Sequence, residues 1–106
     1  MSLKIKVNSE HQNRVVEVVG DVTIMTSPDL RAELKPLFTS EIAQIEVKLE
    51  GVGFMDSSGI ATLVEGLQWS KSSGNRFVLS GLSPTVRDVF ELAKLDTIFD
   101  IVDNNA

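Results

Sequence analysis

An α/β fold is predicted, with a four- or five-stranded mixed sheet and helices mainly on one face. Three features of the sequence carry that expectation. Strand-like and helix-like stretches follow one another in the order β-β-α-β-α-β-α-β, which implies parallel crossovers after an opening hairpin. Ile45, Val47 and Leu49 alternate with Glu46, Lys48 and Glu50, so one face of that strand meets water and helices cover the other. The chain has 106 residues, of which 42% are hydrophobic, enough for one core and a single domain spanning residues 1–106.

Each element has its own local signal. Leu3, Ile5 and Val7 alternate with Lys4 and Lys6, the period of a half-buried strand. Residues 8–13 are polar and turn-like. Residues 14–20 (RVVEVVG) are β-branched on both faces and read as a more central strand. After a short segment, Ser27-Pro28-Asp29 opens a helix, with serine as cap, proline at the first helical position and an acid in the first turn. Leu30, Leu34, Leu37 and Phe38 supply its stripe. The strand around Ile45–Leu49 follows. Ile60, Leu63, Val64 and Leu67 then recur at i, i+3, i+4 and i+7, the stripe of a second helix. Ser72-Ser73-Gly74-Asn75 stops that helix, and residues 76–80 (RFVLS) form the next strand. Ser83-Pro84 starts a third helix with Val86, Val89, Phe90 and Ala93 as its stripe. Residues 98–102 (IFDIV) make a short last strand, after which Asp103–Ala106 is expected to fray.

Composition excludes several functions. A net charge of −5 with ten basic residues argues against nucleic acid or an anionic membrane surface as the main partner. Cysteine is absent, which removes disulfides, thiolate chemistry and Cys-based metal sites. No apolar run approaches the roughly 18 residues of a membrane span, and the first residues, MSLKIKV, carry no signal-peptide pattern. A soluble cytoplasmic protein without cofactor or metal is expected. Enzymatic motifs are equally lacking. His11, the only histidine, lies in a polar turn without a metal-ligating neighbour. The glycines at 51, 53 and 59 form neither a dinucleotide nor a P-loop pattern, and no GxSxG surrounds Ser57 or Ser58. No catalytic residue is assigned, and the chain is read as a non-enzyme.

What stands out is residues 54–59, FMDSSG, between a strand end and the second helix. Four backbone N–H groups at a helix start lack intrahelical partners, which suits an oxygen cap and equally an anion such as phosphate. Asp56, Ser57, Ser58 and Gly59 can therefore be a plain cap or a phosphoryl site. Stepping by 100° along the helix places Ser58, Thr62, Glu65 and Trp69 opposite the apolar stripe, with Gly66 beside them. Trp69 on a polar face is either an interface anchor, with Gly66 letting a partner's backbone approach, or a cover over the edge of the core.

FMDSSG followed by a helix resembles the STAS family, and most of all its stand-alone anti-sigma-factor antagonists. Gly20-Asp21-Val22-Thr23, Leu82-Ser83-Pro84 with Val89-Phe90, and residues 95–98 extend the resemblance over essentially the whole chain. It implies a phosphorylation-controlled binding switch acting in transcription regulation. The unphosphorylated protein binds an anti-sigma factor that is also a GHKL-type serine kinase; phosphorylation releases it, and a PP2C-type phosphatase regenerates it. By position the acceptor is Ser57, with Asp56, Ser58, Gly59 and Thr23 shaping the site. The expected docking surface comprises Met25, Thr62, Glu65, Gly66 and Trp69. Two departures are visible: Thr23 stands where many members carry an acid, and the family's last helix has no counterpart. The alternative is a STAS accessory or scaffold subunit of a transporter or signalling complex that is never phosphorylated. Phosphate would add about −1.5 to −2 charges, and a helix N-terminus favours such charge by about 0.3–1 kcal/mol, so switching without refolding is expected.

Overall fold

The computed structural model describes residues 3–102; the expected fraying of Asp103–Ala106 lies outside them. Strands β1 (Lys4–Glu10) and β2 (Asn13–Val19) form an antiparallel hairpin. Its turn is only His11 and Gln12, with His11 at φ 56°, so the polar stretch read as a turn is mostly strand. Backbone pairing of Asn8 with Val15, Ser9 with Arg14 and Glu10 with Asn13 does not depend on apolar side chains, and Asn8 donates across the pair to Glu17 at 3.2 Å.

The remaining order is helix α1 (Ser27–Leu34), strand β3 (Gln44–Gly51), helix α2 (Ser57–Ser73), strand β4 (Arg76–Ser80), helix α3 (Pro84–Leu92) and strand β5 (Asp100–Val102). The five strands lie in the order β1-β2-β3-β4-β5, with β2 through β5 mutually parallel. Successive right-handed crossovers that all step in the same direction place all three helices on one face. Ile45, Val47 and Leu49 of β3 and Phe77 and Leu79 of β4 are buried there, with Leu30 and Leu34 of α1, Leu63 of α2, and Val86 and Phe90 of α3. On the other face Glu46 and Lys48 are half-buried. Ser80 donates to Glu46 at 2.6 Å, and Arg76 pairs with Asp100 at 2.7 Å. The alternation read from β3 is present, but the face is less solvated than expected: beside Glu46 and Lys48, Val78 and Ser80 of β4 are buried.

Three elements differ from expectation at their ends. Thr26, not Ser27, stands at the N-cap position of α1, and its side chain makes no capping hydrogen bond; Leu37 and Phe38 lie beyond α1, at the end of a 3-10 turn that contains Pro36. Ser83 caps α3 as read, accepting from the Val86 N–H at 3.4 Å, but Ala93 ends the helix exposed. Ile98 and Phe99 precede β5 because their N–H groups bond back to Leu95; Phe99 instead packs on Phe90, ring centroids 5.5 Å apart.

The largest correction concerns α2. Its buried residues are Gly59, Thr62, Leu63, Gly66 and Ser70, while Ile60, Val64 and Leu67 are only half-buried. The helix is turned by about a quarter turn from the orientation its apolar stripe implies. Small residues explain the turn. A Cβ on Gly66 would stand 2.9 Å from Phe77 Cζ, and one on Gly59 would stand 2.6 Å from Met55 Cγ, so both glycines let the helix backbone lie directly on its neighbours. The Thr62 and Ser70 hydroxyls donate to the Ser58 and Leu67 carbonyls at 3.1 and 2.6 Å, and neither is buried unpaired.

Candidate functional site

Val22 and Met55 form an isolated parallel bridge: the Val22 N–H donates to the Phe54 carbonyl and the Asp56 N–H to that of Val22, both at 3.0 Å. This stitch holds the segment after β2 against the entry to α2. Asp56 sits in extended backbone as the cap of α2. Its Oδ1 accepts from the Ser58 and Gly59 N–H groups at 2.8 and 3.2 Å. Its Oδ2 accepts from the Ile24 N–H at 3.0 Å. One carboxylate thus caps the helix and ties down the loop before α1.

That loop is braced from within. The Thr23 N–H donates to Thr26 Oγ1 at 2.9 Å, and the Met25 N–H donates to Thr23 Oγ1 at 3.2 Å. The Thr26 hydroxyl donates in turn to the Asp21 carbonyl at 2.8 Å. Thr23 is half-buried next to the tie, while its neighbours point outward: Ile24 is 70% exposed and Met25 83%. Phe54, on the other side of the Val22–Met55 bridge, is 47% exposed. These three exposed apolar side chains, together the apolar patch, belong to the two segments that Asp56 ties together. Ser57, the first residue of α2, is exposed beside it; Ser58 is half-buried and Gly59 is buried.

The docking surface expected along α2 does not form. Thr62 and Gly66 face the sheet and offer nothing to a partner. Glu65 and Trp69 turn toward α1: Arg31 Nε lies 3.1 Å from Glu65 Oε1, the Arg31 guanidinium stands 5.3 Å from the Trp69 ring centroid, and Trp69 packs on Phe38 at 5.6 Å. Trp69 therefore covers an edge of the core. The exposed residues of α2 are Ser57, Ala61, Gln68, Lys71 and Ser72, with Val64 half-buried. Of the expected surface, Met25 is the residue that stands free. Ile24 and Phe54 join it; Phe54 opens FMDSSG, yet nothing in the sequence marks either side chain as exposed, which only the structure shows.

Among the described residues no group of three His, Asp or Glu could hold a metal ion, and no helix is long and apolar enough to cross a membrane.

Comparison with known proteins extends these observations. The family profile described as "Mlab, STAS domain" matches residues 5–103. The anti-sigma-B factor antagonist of Bacillus subtilis (strain 168) is 28% identical over 101 residues, covering 95% of this chain and 92% of that protein. Its namesake in Staphylococcus aureus (strain NCTC 8325 / PS 47) is 27% identical, covering 95% and 94%. Among solved structures, an anti-sigma factor antagonist from Mycobacterium paratuberculosis aligns at a TM-score of 0.83 with 21% identity, covering 93% of this chain and 84% of that one. The anti-sigma factor antagonist SpoIIAA in its unphosphorylated form aligns at 0.74 with 20% identity, covering 96% and 90%. With the profile matched over nearly its whole length and the fold shared, this chain belongs to the STAS-domain family.

Proposed function

We propose that the chain is an anti-sigma-factor antagonist whose binding is switched by phosphorylation of Ser57. The observation that carries this reading is the placement of Ser57: exposed at the first position of α2, beside the patch of Ile24, Met25 and Phe54. An exposed hydroxyl is open to a kinase, and an exposed apolar patch is an interface waiting for a partner.

The geometry also supports the direction of the switch. Two donors at the start of α2 are occupied, because Asp56 Oδ1 already takes the Ser58 and Gly59 N–H groups. A phosphate on Ser57 would bring about −1.5 to −2 charges next to that carboxylate and find those two donors taken. It must stay hydrated, and a partner packed on the patch would strip that water or face two like charges. Binding is lost while the fold persists. SpoIIAA in its phosphorylated form aligns with this chain at a TM-score of 0.76, against 0.74 for the unphosphorylated form, in keeping with a switch that leaves the fold alone. The kinase is the anti-sigma factor itself, of the GHKL type, and a PP2C-type phosphatase resets the protein. The chain acts by binding and carries no catalysis of its own.

The test is incubation with ATP and the GHKL-type anti-sigma factors of the same genome, read by intact mass and by binding. One phosphate on the wild type, none on Ser57→Ala, and binding of the unmodified protein alone are expected. An unmodified wild type that nonetheless assembles into a larger complex would favour the accessory-subunit reading. A phosphate that persists on Ser57→Ala would move the acceptor to another residue.

A further inference from the structure

The apolar patch borders a carboxylate that the fold leaves unused. Asp21 follows β2 and is half-buried as a residue. Among the described residues that carboxylate makes no hydrogen bond or ion pair, whereas Glu65 and Asp100 are each matched by an arginine. Gly53 lies beside Asp21, whose Oδ1 is 3.9 Å from where a Cβ on the glycine would stand, an ordinary contact distance. Asp21, Thr23, Met25 and Thr26 wall one cavity, with Met25 83% exposed at its lip. Ser57 is outside those walls.

A carboxylate that has given up part of its hydration gains more from a cation than a fully solvated one does. The surroundings select the kind of cation. A thioether and threonine side chains offer apolar contact to an aliphatic stem, and a planar guanidinium can pair with both oxygens of a carboxylate. The chain's net charge of −5 would steer a basic surface toward it.

We infer that this cavity receives an arginine side chain from the protein that docks on Ile24, Met25 and Phe54. Asp21 takes the guanidinium and Met25 covers its stem. The inference rests on the reading that the patch binds an anti-sigma factor, and it adds what that partner must present: an apolar contact with an arginine beside it. Charge recognition at Asp21 and the phosphate switch at Ser57 are then separate devices on one surface, the first setting which partner binds and the second when.

The experiment is calorimetric titration of the cognate anti-sigma factor with wild type, Asp21→Asn and Asp21→Lys, at low and at high salt. Asp21→Asn is expected to weaken binding about tenfold at low salt and less at high salt, and Asp21→Lys about a hundredfold. Both variants should keep the wild-type urea midpoint, since the carboxylate makes no bond within the fold. If the wild type binds and Asp21→Asn matches it in affinity and salt dependence, the inference is overturned while the proposed function stands. If the wild type binds no anti-sigma factor, the proposed function fails and the inference falls with it.

Discussion

At the scale of single residues, Asp56 joins two segments 32 positions apart. Losing a helix cap costs about 0.5–2 kcal/mol, and Asp56→Ala also frees the Ile24 N–H. We therefore expect a lower urea midpoint together with faster hydrogen exchange at the Ile24 amide. An unchanged exchange rate at Ile24 would mean that the loop is held without Asp56. Ser57 has no comparable structural duty. Ser57→Ala should stay within about 0.5 kcal/mol of the wild type while losing the phosphate. Met25→Ala should likewise leave stability untouched, but weaken partner binding by about 2 kcal/mol, as loss of an interface anchor does; equal affinity would remove Met25 from the interface. The cap itself was readable in FMDSSG. The exposure of Ile24 and Phe54 was not, because apolar residues in a short connection look the same whether they are buried or held outward.

At the scale of elements, α2 shows why an apolar stripe is an incomplete guide. Periodicity orients a helix by its largest apolar residues, yet close packing is governed by which side can approach its neighbours. Gly59 and Gly66 set that side. Gly66→Leu should destabilise the fold by at least about 1–3 kcal/mol through overpacking against Phe77, measurable by urea unfolding; a wild-type midpoint would show that α2 can shift freely. Leu63, buried in either orientation, should cost about 2–5 kcal/mol on truncation to alanine. Trp69→Ala now belongs with the stability variants. It removes contacts to Phe38 and Arg31 and should cost about 1–3 kcal/mol while leaving partner affinity intact. Weakened affinity with unchanged stability would return Trp69 to the docking surface.

For the molecule as a whole, one sheet face carries three helices and the other bears the half-buried charged residues of β3, and the candidate site lies where β2 and β3 each hand the chain to a helix. Because the stitch at Val22 and Met55 and the tie from Asp56 are already made in the unmodified protein, phosphorylated and unphosphorylated chains should give superimposable circular dichroism spectra and differ in partner binding alone. A large spectral change would point to refolding as the switch. Local periodicity, turn chemistry and capping were enough to read the α/β class, the order of strands and helices, the alternation along β3 and the helix start at Asp56. Long-range packing settled which side of α2 is buried, that Trp69 closes against Phe38 and Arg31, and that Ile24, Met25 and Phe54 stand exposed on the two segments that Asp56 joins. Those outcomes depend on how closely backbones approach and on hydrogen bonds between residues distant in the chain, and neither quantity is written in the spacing of apolar residues along one element.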